Sequence, residues 1–128
     1  MDGYAYISSL LGLDARFRRG QVALKHGSLV SIVAAATTTT LYQVSADRDA
    51  EAWLVALLVY NDNASNSLFT VRNSAGTVVL PTLYFISGFH DLVLIPPRQF
   101  TTDITAQSDV GGADPSDIEV MAWVLEIF

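Results

Sequence analysis

From Val22 onward, short apolar stretches alternate with polar clusters that contain asparagine, aspartate, glycine, serine or proline. The apolar stretches are rich in aliphatic, aromatic and threonine residues, which favour strands, and the polar clusters recur about every eight to twelve residues. These clusters supply the residues that turns require. The pattern predicts strands without intervening helices, at about residues 22–34, 38–45, 52–60, 67–72, 77–86, 89–95, 100–107 and 117–127.

Eight short strands of this kind predict an all-β protein, an eight-stranded antiparallel β-sandwich of the jelly-roll type. Strand 67–72 shows the alternation of a strand with one wet face, because Phe69 and Val71 share one side while Thr70 and Arg72 share the other. An immunoglobulin-like arrangement stays open at this point, because the pattern does not specify which strands pair.

The first twenty residues do not share this pattern. A small sandwich does not need their apolar side chains in its interior, and Gly20 separates them from the predicted strands. We therefore predict an N-terminal arm or short extra element at residues 1–20 and a β-sandwich domain at residues 21–128. The arm carries a loose helical stripe of apolar residues: Tyr4, Ile7, Leu10, Leu11 and Phe17.

Two of the predicted strands are apolar on both faces. Alternation places Trp53 and Leu57 on one face of strand 52–60, and the opposite face is equally apolar. Strand 117–127 begins with one polar face, at Asp117 and Glu119, but the same face then continues as Met121, Trp123, Leu125 and Ile127. In a two-layer sandwich the outer face of a sheet meets water, and contiguous exposed apolar patches usually mark interfaces.

The third and eighth strands of a jelly roll are neighbours in one sheet, and here they are the two doubly apolar strands. Their outer faces would form one patch around two tryptophans, and aromatic side chains at the centre of a patch are typical of stable interfaces. The alternative is that the N-terminal segment covers this face and enlarges the core of a single chain. We predict homo-oligomer formation through a surface that comprises Trp53, Val55, Leu57, Met121, Trp123 and Leu125.

Composition narrows the classes of function. The 128 residues are 51% hydrophobic and 16% charged, which excludes a disordered chain. The absence of cysteine excludes a disulfide framework, a thiolate zinc site and a cysteine nucleophile. The longest apolar run, at 52–60, is far shorter than the roughly 18 residues that a membrane-spanning helix needs, and the N-terminus lacks a basic secretory start. We expect no membrane partner.

The net charge of −6 is unevenly distributed. Residues 1–26 hold four basic and two acidic side chains, whereas the remainder holds three basic and eleven acidic ones. An acidic body argues against nucleic-acid binding, which requires a broad basic face. We expect the basic segment to contact a partner protein, through Arg16, Phe17, Arg18 and Arg19.

Residues that could carry catalysis are few. His26 and His90 have no second histidine at metal-ligand spacing, and the sequence contains neither a nucleophile elbow nor a phosphate-binding glycine loop. His90 and its neighbour Asp91 should point to opposite faces of a strand. We expect a protein that is not an enzyme and that binds no cofactor. A hydrolase or cupin-like enzyme is the alternative that a metal analysis would test.

Several acidic and amide side chains lie in predicted loops. Asp109, Asp114 and Asp117 are close in sequence, and Asn61 to Asn63 form a second group. Their oxygens are the ligand type that Ca²⁺ uses, but the requirements of turns account for the same residues without an ion. The sequence therefore predicts no metal site. Calcium binding stays open, with Asp109 and Asp114 as the first ligands to test.

Several segments together are similar to a known class of proteins. The run TTTTLYQV at 37–44 leads into an apolar strand that ends in YNDN at 60–63, followed by LFTVR at 68–72, GFHDLVL at 88–94 and IEV at 118–120. Over about residues 28–128 this succession resembles small β-sandwich virion proteins of tailed bacteriophages, the capsid decoration (cement) proteins and related accessory head or tail proteins.

The resemblance implies a jelly-roll-like sandwich, often trimeric, that binds the outside of a phage head and reinforces it, with no catalytic residues. It implies location in the virion and a partner in the major capsid protein or another virion protein. Residues 1–20 have no counterpart in this resemblance, and a capsid-contacting arm would fit them. The alternative is a tail or receptor-binding module that recognises a glycan or protein on the host surface.

Overall fold

In the computed structural model, residues 22–44 and 51–127 are described, and these ranges contain nine strands and no helix. The all-β prediction is thereby confirmed. The described residues include no helix with the length and apolarity needed to span a membrane. The predicted arm at residues 1–20, with Arg16, Phe17, Arg18 and Arg19, lies outside the described residues. The strands are β1 (Val22–His26), β2 (Val30–Ile32), β3 (Thr39–Gln43), β4 (Glu51–Asn61), β5 (Ser67–Arg72), β6 (Val78–Phe85), β7 (Gly88–Phe100), β8 (Asp103–Ser108) and β9 (Ile118–Ile127).

The strands form two antiparallel sheets. Sheet A has the order β1-β9-β4-β7, with β2 also paired to β9, and sheet B has the order β3-β8-β5-β6. The chain crosses between the sheets repeatedly and its first strands lie beside its last, which is the jelly-roll arrangement. The predicted jelly roll is therefore confirmed. The immunoglobulin-like alternative, in which the first, second, fourth and fifth strands share a sheet, is excluded.

The predicted first strand, 22–34, is divided into β1 and β2. Gly27 lies at the division, where its N–H donates to the carbonyl oxygen of Ala122. A Cβ atom added at Gly27 would lie 2.1 Å from the carbonyl oxygen of Leu41 in sheet B. Only glycine allows the two backbones to approach this closely, so the strand is interrupted here and then returns to β9.

β4 and β9 are hydrogen-bonded neighbours, as predicted, and they differ in length by one residue. Glu51 pairs with Ile127 and Asn61 with Ile118, so eleven residues of β4 oppose ten of β9. The register shifts between Leu54 and Ala56, which makes Val55 the extra residue of a β-bulge.

The bulge reverses the faces of the rest of β4, because side chains alternate with a period of two. Leu54 and Leu57 consequently both point between the sheets, and Val59 joins them in the core. Leu57 is completely buried there. Its predicted place on the outer, self-associating face is therefore wrong, and the physical reason is the extra residue at Val55.

The core between the sheets is aliphatic and aromatic. Phe69 and Val71 are fully buried within it, as their alternation predicted. The ring of Phe69 lies edge-on to that of Phe85, with centroids 5.5 Å apart. The two sheets therefore pack through interdigitated side chains, as in other sandwiches.

One buried charge links the two sheets. The carboxylate of Glu126, on the inner side of β9, is 3.0 Å from the Nζ atom of Lys25 and accepts a hydrogen bond from the hydroxyl of Tyr42 in β3. A buried carboxylate is tolerated when it is paired and hydrogen-bonded. Burial of Tyr42, together with the hydrogen bond and negative charge of Glu126, raises the pKa of its phenol, so the phenol remains a donor.

Deletion of Val55 tests the bulge. The deletion leaves ten residues of β4 opposite ten of β9 and keeps Leu54 and Leu57 on the inner face. We expect a folded protein whose free energy of unfolding falls by about 1.5–3 kcal/mol, the contribution of one buried valine. The measurement is urea denaturation followed by circular dichroism.

Deletion of Leu58 is the matched control. In an unbulged β4 without Leu58, Ala56 takes the inner position that Leu57 otherwise fills. This exchange costs about 2–5 kcal/mol, the range for truncating a buried leucine to alanine. We therefore expect the Leu58 deletion to cost more stability than the Val55 deletion, and a Val55 deletion that costs as much or more would contradict the assignment of Val55 as the bulged residue.

Candidate self-association surface

The outer side of sheet A, which we call the outer apolar face, is continuous across four strands. Residues that are paired in register share one face of a sheet, so the pairing defines this surface directly. From β7 across β4 and β9 to β1, its rows are Phe89–Tyr60–Glu119, Asp91–Leu58–Met121 and Val93–Ala56–Trp123–His26. The predicted merging of the outer faces of the two doubly apolar strands is confirmed.

One half of this face is already packed within a single chain. It forms a second hydrophobic cluster, separate from the core between the sheets, to which Trp53, Val55 and Leu125 contribute. Leu125 is only 2% exposed, and the indole Nε1 of Trp53 is buried with no hydrogen-bond partner. We call this part the packed half. The side chains of the packed half have little surface left to offer a partner. A partner would therefore have to contact the other half of the outer apolar face.

The other half, which we call the exposed half, is apolar and open. Phe89, Val93 and Tyr60 are 64%, 48% and 40% exposed. Phe89 and Tyr60 are paired in one row, and Val93 lies two rows away on the same face, beyond Asp91. Met121 and Trp123 lie half-buried beside them. These two are the predicted interface residues that reach this half.

Ring contacts position Trp123 at the border of the exposed half. Its ring centroid is 4.8 Å from that of His26 on β1, with the two planes tilted by 50°. The Nδ1 atom of His26 lies 2.9 Å from the carbonyl oxygen of Gly27, at the division between β1 and β2. The backbone interruption at Gly27 therefore also anchors the imidazole that supports Trp123.

Sequence reasoning missed Phe89, Val93 and Tyr60 as members of this surface. Strand 89–95 also has apolar residues on both faces, which was the available signal, but Asp91 interrupts the outer series. Strict alternation along residues 52–60 puts Tyr60 on the face opposite Trp53, whereas the bulge at Val55 brings the two residues to the same side.

The two histidines lie far apart in the fold. His26 is on β1 and His90 on β7, at opposite edges of sheet A. The Nε2 atom of His90 is 2.7 Å from the carbonyl oxygen of Ile86, and its ring packs 5.1 Å from that of Phe85. His90 faces inward beside Val59 in the register while Asp91 faces outward beside Leu58, as the alternation predicted.

The structure separates the acidic loop residues into two groups. Asp109 continues the pairing of β5 and β8, because its Oδ1 accepts the N–H of Leu68 at 2.7 Å. Asp62, Asp114 and Asp117 instead converge, with one carboxylate oxygen of each lying within 4.8 Å of the others. Sequence reasoning placed Asp114 and Asp117 in one loop, but their contact with Asp62 depends on the fold.

No protein-family model and no curated protein matches the sequence of this chain. Among solved structures, a similar chain comes from Bacillus endospore appendages, described as a novel family of disulfide-linked pili. It is 15% identical, with a TM-score of 0.46, and the alignment covers 84% of this chain and 88% of that chain. A likeness at this level identifies no function for this protein.

Proposed function

We propose that this protein is a non-enzymatic structural protein whose copies associate through the exposed half of the outer apolar face. The observation that carries the proposal is the exposure of three large apolar side chains on one sheet face: Phe89 and Tyr60, which are paired, and Val93, which lies two rows away beyond Asp91. An exposed group of this kind on a flat surface is typical of a protein interface.

The expected occupant of this surface is a second copy of the same chain. In a symmetric oligomer the same face of every copy can lie around the symmetry axis, so that further copies cover it with a surface of identical chemistry. Two acidic side chains, Asp91 and Glu119, also lie in the rows of this face. Because these charges repel each other across a symmetric contact, association should strengthen as salt screens them.

The energies are consistent with reversible association. Phe89, Val93 and Tyr60 are each about half exposed, so burying them from two copies contributes about 5–9 kcal/mol. The loss of translational and rotational freedom on association costs about 4–15 kcal/mol. The half-buried side chains beside them, Leu58, Met121 and Trp123, add further contact area. A lattice that holds many copies would strengthen each weak contact through avidity.

The assembly that we propose is the virion of a tailed bacteriophage, where the protein would act as a homo-oligomeric capsid decoration protein. This part of the proposal is supported by the resemblance of residues 28–128 to such proteins and by the jelly-roll fold that the resemblance implies. The expected oligomer is a trimer, and the expected second partner is the major capsid protein or another virion protein.

Substitution of two exposed residues tests self-association. The double variant Phe89→Ser/Val93→Ser removes apolar surface that a single chain does not bury, so it should fold normally and have the mass of a single chain, about 13.9 kDa. The wild-type protein should have a mass close to three times that value. The measurement is size-exclusion chromatography with light scattering.

The matched control is Tyr84→Ser/Leu68→Ser. These two residues are paired on the outer side of sheet B and are 61% and 47% exposed, close to the values for Phe89 and Val93. The control should keep the wild-type mass. If wild type and both variants all have the mass of one chain, or if both variants dissociate, the proposed surface is wrong.

Location in the virion needs a separate test. An antibody against the chain, applied to phage particles from the organism that carries the gene, should label the outside of the heads in electron micrographs. Labelling confined to tails would overturn the decoration role in favour of the receptor-binding alternative. Absence of label from all particles, with the protein detected in the same lysate, would contradict a virion function.

A further inference from the structure

We infer that Asp62, Asp114 and Asp117 bind one Ca²⁺ ion at the end of the β4–β9 pair. The three residues come from two loops that meet at this end of the sandwich. Asp62 directly follows β4, and the other two lie in the loop that leads into β9. Asn61 and Ile118, the last residue of β4 and the first of β9, are partners in register.

The distances between the carboxylates suit a single calcium ion. One oxygen of each side chain lies within 4.8 Å of the others. Ca²⁺ binds oxygen at about 2.3–2.6 Å, so two ligands on opposite sides of the ion are about 4.6–5.2 Å apart. All three oxygens can therefore contact one ion. Main-chain carbonyls or water would complete the six to eight ligands that calcium takes.

The burial of Asp117 is a second, independent observation. The residue is 2% exposed, and its Oδ1 is buried without any hydrogen-bond partner. A buried carboxylate oxygen without a hydrogen-bond partner is unfavourable, and two further carboxylates nearby add repulsion. Among residues 22–44 and 51–127, the salt bridge shorter than 4 Å joins Lys25 and Glu126. No basic side chain in these ranges therefore forms a salt bridge with Asp117. A divalent cation removes both penalties.

The two loops are held in place by contacts other than the carboxylates. The N–H of Asp62 donates to the main-chain oxygen of Asp117 at 3.1 Å, and the side-chain amide of Asn63 donates to the main-chain oxygen of Ser116 at 2.9 Å. Asn61 accepts the N–H of Asn63 with its side-chain oxygen. A site that is positioned in this way loses little conformational entropy when it binds an ion.

Calcium is favoured over the other common cations by the ligand set. Zinc prefers nitrogen and sulfur ligands, and the site offers neither. Magnesium requires near-ideal octahedral geometry at about 2.0–2.1 Å and gives up water reluctantly, whereas calcium accepts carboxylates from irregular loops. Because the site lies where β4 and β9 meet, the ion would stabilise the central strand pair of sheet A.

The test uses the full chain after treatment with EDTA and dialysis. Isothermal titration with CaCl₂ should give one site per chain, and saturating Ca²⁺ should raise the Tm by at least about 5 °C, because an ion that binds only the folded state stabilises it. MgCl₂ at the same concentration should have a smaller effect. No heat and no Tm shift up to 10 mM CaCl₂, roughly tenfold above the Kd of about 1 mM of the weakest protein calcium sites, would overturn the site.

Three isosteric variants localise the effect. Asp117→Asn and Asp114→Asn each remove one ligand charge and should weaken Ca²⁺ binding at least tenfold, whereas the control Asp109→Asn, in the same loop, should bind normally. Without Ca²⁺, Asp117→Asn should have a higher Tm than the wild type, because it removes a largely buried negative charge that two neighbouring carboxylates repel. If Asp117→Asn does not fold, the variant Asp114→Asn still tests whether these carboxylates bind Ca²⁺, because Asp114 is exposed. Equal binding by all variants would show that calcium binds elsewhere.

Discussion

β4 and β9 run antiparallel through the centre of sheet A, with β7 bonded to one side and β1 to the other. Every strand of the sheet is therefore held directly or indirectly by this pair. Their inner side chains form much of the core against sheet B, and their outer side chains carry the middle of the outer apolar face. The bulge at Val55 sets which apolar residues of β4 lie on each face. Leu57 and Val59 lie in the core between the sheets, and Leu58 and Tyr60 lie on the outer apolar face.

Both proposed sites depend on the same two strands but occupy different parts of them. The exposed half of the outer apolar face lies on the face of sheet A, where an apolar contact can cover a broad area. The three carboxylates lie at its end, in loops where charged groups can reach solvent or an ion. The buried link from Lys25 through Glu126 to Tyr42 lies near the other end of β9 and connects the two sheets.

Local chemistry was sufficient to predict the all-β class and most of the strands, whereas the choice of the jelly roll over an immunoglobulin-like arrangement needed the strand pairing that the structure shows. Turn residues mark the ends of β5, and alternation assigns Phe69 and Val71 to the core. The bulge at Val55 was not predictable, because every residue from 52 to 60 is apolar and no polar position marks the phase of the strand. The interruption of the first strand at Gly27 was not predictable either, because glycine is required there by the close approach of the Leu41 backbone on the other sheet. Likewise, the meeting of Asp62 with Asp117 depends on the pairing of distant strands.

Hydroxyl-radical footprinting of the wild-type protein at assembling concentrations tests most directly whether a second copy covers the outer apolar face. Phe89 and Tyr84 are 64% and 61% exposed in a single chain, the first on the outer side of sheet A and the second on that of sheet B. The account predicts that Phe89 is oxidised several-fold more slowly than Tyr84, and that dilution removes this protection. A ratio of Phe89 to Tyr84 oxidation that does not change on dilution would contradict it.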